Sequence, residues 1–190
     1  MVAQLHHVCQ RHKRRRQLMN WISTVEPAPW TIAGFELGPL RFGHCLLMER
    51  FDLRGLENKT LLHYFLGICC RDYESARKWL TTENNKPVYE FPSFEENRSE
   101  CLTYLHENMA LPQTLESTGA GKTQGTPFLQ SLRLTAISKL GYSPTQINSA
   151  RFGQLVWDVL SYKEAKGQTR IVDDYLNEQL EKLKEMNAKV

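Results

Sequence analysis

The run Gly119-Ala120-Gly121-Lys122-Thr123 is the stretch of this chain that comes nearest to a catalytic motif. A phosphate-cradling loop requires Gly-x-x-x-x-Gly-Lys-[Ser/Thr] between a strand and a helix, so that backbone N–H groups and the lysine converge on phosphate. Here Glu116 occupies the first glycine position, which would set a carboxylate against the phosphates. No apolar strand is expected before the run, and Gln124-Gly125-Thr126-Pro127 cannot open the required helix. Nucleotide binding is therefore not expected. The thiols and imidazoles fare no better. Cys69 and Cys70 are adjacent and cannot form the C-x₂-C knuckle of a zinc site. His6, Cys9 and His12 share a helical spacing but lack a fourth ligand, and they read as part of a polar basic terminus. Cys45, Cys69 and Cys101 fall on apolar faces and read as small core residues. His44 and His63 have no nucleophile or carboxylate partner in view. The pairs Glu95-Glu96 and Asp173-Asp174 stand at expected helix starts, where the helix dipole favours acids. No catalytic, cofactor or metal set emerges, and the chain is expected to be non-enzymatic.

Charge is more telling in its distribution than in its sum. The net charge of +3 is too small to imply a polyanion partner for the whole chain. The first twenty residues, however, carry Arg11, Lys13, Arg14, Arg15 and Arg16 and no acid. With Trp21 nearby to stack on a base, this arm gives an alternative function, nucleic-acid binding or a virion structural role. No reader motif follows it. The last twenty residues are acidic on balance, five carboxylates against three lysines. Five cysteines, an odd number, together with the lack of an apolar signal segment, point to reduced thiols in a cytoplasm. The longest apolar stretch, Leu61 to Cys70, is too short to span a bilayer.

The elements that must position these residues are mainly α-helical. Residues 1–30 read as a basic arm followed by a connector stiffened by Pro27 and Pro29. A helical core domain is expected over 31–112. It begins with a short β turn at Thr31–Leu37, bent at Gly34, which runs through Gly38-Pro39 into an apolar helix from Leu40. A buried helix over Leu61–Cys70, opened by Thr60, follows, then one over Tyr73–Leu80 capped by Asp72. Ser93 with Glu96 has the spacing of a capping box and opens a helix to about Met109. Residues 113–126, rich in Gly, Thr and Ser, read as a flexible linker. A helical subdomain is expected over 127–190. Its parts are a helix from Pro127 to Leu140 stopped by Gly141, a second capping box at Ser143-Pro144-Thr145-Gln146, and a helix over Ala150–Lys166. An amphipathic tail carries Leu176, Leu180 and Leu183 at spacings of four and three.

Phe35-Glu36-Leu37-Gly38-Pro39-Leu40-Arg41-Phe42-Gly43-His44 with Leu46-Leu47-Met48-Glu49 resembles the opening of tail assembly chaperones of tailed phages. Leu140-Gly141-Tyr142-Ser143-Pro144, Trp157 and Glu164-Ala165-Lys166-Gly167 extend the resemblance to about half of the chain. The basic arm departs from the pattern. The resemblance implies a protein of the host cytoplasm that binds the long helical tape measure protein, keeps it soluble and helps bring tail tube subunits to it. Such a role needs apolar surfaces that accept a partner helix. The expected contacts are Leu47, Met48 and Phe51 on the first helix and Leu176, Leu180 and Leu183 on the last.

Overall fold

A computed structural model describes residues 29–50, 56–82, 91, 93–112, 114–116, 126–172, 182 and 186. The fold is mainly α. Strands β1 (Trp30–Ile32) and β2 (Phe35–Leu37) form an antiparallel hairpin in which Ile32 faces Phe35 and Trp30 faces Leu37. Ile32 and Leu37 point into the core while Thr31 and Glu36 point outward, the alternation that a half-buried hairpin requires. Both residues of its two-residue loop have positive φ, Ala33 at 50° and Gly34 at 80°, as the I′ turn demands.

Residues 38–41 then run between two neighbours, and this is where the expected helix starts late. The first helix is α1 (Phe42–Arg50), because Leu40 spends its N–H and carbonyl on other segments, while the Arg41 carbonyl accepts the His44 and Cys45 N–H groups at the helix start. On one side lies α4 (Phe94–Asn108). The Tyr104 hydroxyl donates to the Gly38 carbonyl at 2.8 Å, and the Leu40 N–H donates to Asn108 Oδ1 at 3.0 Å. On the other side lies the segment joining α6 (Pro144–Ser149) to α7 (Phe152–Ala165). Phe42 N–H donates to the Ala150 carbonyl at 3.0 Å and Phe152 N–H donates to the Leu40 carbonyl at 2.8 Å. Arg41 and Arg151 thus pair as an isolated antiparallel bridge, and the Arg41 guanidinium donates to the Ser149 carbonyl at 3.0 Å. The same bridge keeps Ala150 and Arg151 extended, so α7 starts at Phe152 rather than at Ala150.

Helix α2 (Lys59–Cys69) is capped by Asn58 rather than Thr60, with Asn58 Oδ1 accepting the Leu61 N–H at 3.0 Å. Helix α3 (Tyr73–Leu80) is capped by Asp72, which accepts the Ser75 N–H, as the sequence predicts. Two glycines let these helices approach. A side chain at Gly43 would strike the Tyr73 ring and stand 2.7 Å from the Asn148 carbonyl, and one at Gly67 would strike the Trp79 ring. Ser93 does precede α4, but its hydroxyl makes no capping bond, so the capping box expected there does not form. The one at Ser143 does form: its hydroxyl accepts the Gln146 N–H at 3.2 Å and Gln146 Oε1 accepts the Ser143 N–H at 2.8 Å. Helix α5 (Phe128–Leu140) ends at Gly141, with φ 76°, as expected.

The segment expected to be a flexible linker contains a strand. β3 (Thr114–Glu116) pairs antiparallel with β4 (Thr169–Ile171), Thr114 facing Ile171. The core runs across this segment: Phe42, Phe65 and Tyr104 belong to one buried cluster with Ala136, Ile147 and Phe152. Among the described residues no helix is long and apolar enough to cross a membrane.

Candidate functional site

Helices α5 and α7 pack side by side, α7 continuing through Gly167 (φ 66°) into β4. The pairing of β4 with β3 brings the end of the α4 region, Leu111 and Pro112, over the groove between the two helices. The result is a cleft of about 190 Å³. Val156 and Val159 of α7 and Leu132 of α5 form its floor; Leu111, Phe128 and Leu160 form its walls. Phe128 is held at the lip by an edge-on contact with the buried Phe152 ring, centroids 6.5 Å apart, yet remains 52% exposed. Leu111 is 42% exposed and Leu115, on β3 beside it, 43%. Among the described residues the polar lining consists of Thr114, Ser131 and Lys163, with no histidine, cysteine or carboxylate. Two hydroxyls and an ammonium group around an apolar floor suit the side chains of an amphipathic segment.

The residues expected from the sequence to make contacts lie elsewhere. Leu47 and Met48 are only 4% and 7% exposed, so this face of α1 is core and not a free surface. The reason is local: the bridge at Arg41 and the close approach at Gly43 press α1 against α3 and α6, which seals its apolar side. Phe51, Leu176, Leu180 and Leu183 lie outside the described residues, as do Arg11, Lys13, Arg14, Arg15 and Arg16. So do residues 119–123 and the His6, Cys9 and His12 set.

The titratable groups that are described behave as structural groups. His44 is buried, and burial, with a smaller contribution from Arg41, pushes its imidazole down to about 4. The Arg41 N–H donates to Nδ1 at 3.4 Å, while Nε2 is buried without a hydrogen bond of good geometry. Burial pushes the Cys45 and Cys69 thiols up, and the Cys101 thiol up to about 12, which leaves them protonated and unreactive at neutral pH. Tyr142 is pushed up to about 12 by burial and by donating its proton to Asp158 Oδ2 at 2.5 Å. His63 stacks in an aromatic group with Tyr64 and Trp79, whose ring Arg71 covers at 4.8 Å. Among the described residues no three His, Cys, Asp or Glu side chains converge as a metal site would require.

Sequence reading missed the cleft because its walls are separated in sequence. Leu115 was visible as one of two apolar residues between 113 and 126, and Thr-Leu-Glu alternates as a short strand does. Three residues are too few to distinguish from a loop without the partner strand at 169–171. No family model, curated protein or solved structure matches this chain.

Proposed function

We propose that this protein is a non-enzymatic assembly factor of the phage tail assembly chaperone type, which binds a long helical partner such as the tape measure protein in the host cytoplasm. The observation that carries this reading is the open apolar cleft between α5 and α7, with Phe128 and Leu111 exposed at its lips. An aromatic and a leucine left in water at the mouth of an apolar groove are what a helix-in-groove contact would cover. Burying each contributes roughly 1.5–3 kcal/mol at most, enough for a few such anchors to support a specific contact. The resemblance around residues 35–49 agrees with this role, and in the fold those residues act as scaffold: their backbone ties α4 to the start of α7.

The test is capture of a co-expressed tape measure protein by the tagged full chain, with nuclease present and at physiological salt. Phe128→Asp and Leu111→Asp, both at exposed positions, are expected to weaken capture at least about tenfold. Arg14→Ala/Arg15→Ala/Arg16→Ala is expected to leave it unchanged. Capture lost in the triple arginine variant, or recovery of salt-released nucleic acid alone, would move the function to the basic arm.

A further inference from the structure

We infer that the partner helix received between α5 and α7 carries one large apolar side chain that fills the cleft and, one turn away, a carboxylate that pairs with Lys163; this rests on the reading of the cleft as the partner site. Three observations converge on that occupant. The first is the pattern along α7. Val156, Val159, Leu160 and Lys163 all line the cleft at spacings of three and four, so one helix face runs from apolar to cationic within about 10 Å. A helix laid along this face meets the apolar part with one turn and the cation with the next. The second is size. An apolar cavity of about 150 Å³ takes one benzene ring, and this cleft measures about 190 Å³. It therefore admits a single anchor the size of leucine or phenylalanine. The third is charge. Lys163 is half-buried, and among the described residues it is the only charged side chain lining the cleft and has no ion-pair partner. The two acids of α7 are engaged elsewhere: Asp158 Oδ2 accepts the Tyr142 hydroxyl and Glu164 Oε1 accepts the Ile171 N–H. Lys166, one turn on, differs in that its ammonium group lies over the Tyr162 ring at 5.8 Å.

An ammonium group beside apolar walls gains more from a carboxylate than one in open water does, because the local dielectric is lower. The Thr114 and Ser131 hydroxyls line the same cleft and can donate to the carboxylate's remaining acceptor sites. A lysine or arginine at that place on the partner would meet like charge instead. The cation thus selects among helices whose apolar anchors fit equally well. A long apolar helix offers many anchors, but few stand one turn from an acid, so the pairing also fixes the register in which such a partner is held.

The experiment titrates the full chain into labelled synthetic helices and reads fluorescence anisotropy. Each probe is an alanine- and glutamine-based helix with one phenylalanine anchor and a glutamate four residues before or after it; each has a twin with lysine in place of the glutamate. At low salt the better glutamate probe is expected to bind at least about fivefold tighter than its lysine twin. That preference is expected to vanish in Lys163→Gln, to invert in Lys163→Glu, and to shrink in high salt. Phe128→Asp is expected to weaken both twins, since it spoils the apolar lip and leaves the cation in place. Twins that bind equally to the parent chain, or a glutamate preference that survives in Lys163→Glu, would overturn the inference. If Phe128→Asp still weakened both, the cleft would remain the partner site and only its charge requirement would fall. Binding indifferent to Phe128→Asp would remove the cleft reading and the inference together. Octanoate bound where no helix binds would also overturn it, assigning Lys163 to a small amphipathic acid.

Discussion

His44 shows how much a single buried side chain can impose on this molecule. Its Nε2 lies in the core without a good hydrogen bond, and the Arg71 backbone and Asp72 offset only part of what burial takes away from the imidazolium. The folded protein holds this imidazole near 4, whereas the unfolded chain titrates at its ordinary 6.5. The unfolded state therefore binds the proton first as pH falls. Stability from this group is complete above 6.5 and is lost progressively between 6.5 and 4, on the order of 3 kcal/mol over the window. Urea midpoints measured across that range are expected to fall with pH in the parent chain and to fall much less in His44→Leu, the carboxylates contributing equally to both. Parallel curves would show that the imidazole is solvated or paired. Gly43, its neighbour, makes a steric argument. Alanine is the better helix former, by about 1 kcal/mol, but its Cβ has no room between the Tyr73 ring and the Asn148 carbonyl. Gly43→Ala is expected to destabilise by about 1–3 kcal/mol in urea denaturation, with the opposite sign to an exposed helical glycine.

At the scale of elements, two serines with the same sequence signature part company. Ser143 and Gln146 exchange bonds at the start of α6, while Ser93, with φ −122° and ψ 65°, makes no side-chain bond to the free N–H groups of α4. Ser143→Ala is expected to lower stability by about 1 kcal/mol and Ser93→Ala by no more than a few tenths, a contrast that paired thermal melts can read. The hairpin offers the reverse case. Ala33 holds φ 50° beside Gly34, a conformation asparagine adopts more readily. Ala33→Asn is expected to stabilise by up to about 1 kcal/mol in the same melts. These elements also mark what could be read beforehand. The cap at Asp72, the stop at Gly141 and the hairpin around Gly34 follow from local chemistry, and all three stand where the sequence puts them. Leu40, Arg41, Ala150 and Arg151 stand next to the helical spacing of α1 and α7, so the sequence predicts helix there. A long-range bridge, invisible in either segment alone, makes them extended. The cleft was illegible for the same reason, since β3 exists only through its pairing with β4, more than fifty residues away. Leu47 and Met48 were legible as an apolar face, but whether such a face is covered depends on the neighbours it meets.

For the whole molecule the question is whether residues 113–126 separate two folding units. The core argues for one. Phe65 and Tyr104 share a buried cluster with Ile147 and Phe152, and the 38–42 backbone gives hydrogen bonds to both α4 and the 150–152 segment. Neither side can unfold without exposing the other's apolar surface and stranding its backbone groups, so unfolding is expected to be a single cooperative transition. Tryptophan placement allows a direct measurement. Trp30 and Trp79 lie in the first half, and Trp157 lies on α7. In Trp157→Phe the fluorescence reads the first half, and in Trp21→Phe/Trp30→Phe/Trp79→Phe it reads the second. Asn108→Ala, which removes the acceptor of the buried Leu40 N–H, is then introduced into each; it is expected to remove about 1–3 kcal/mol. If the molecule is one cooperative unit, this substitution displaces the midpoint seen from Trp157 as far as the midpoint seen from Trp30 and Trp79. The residue it touches lies on α4 and the reporter on α7, so equal shifts require the coupling to pass through the Arg41–Arg151 bridge and the shared core. A shift confined to the first-half probes would mean that the two halves unfold separately, and that the cleft is held by β3 and β4 alone.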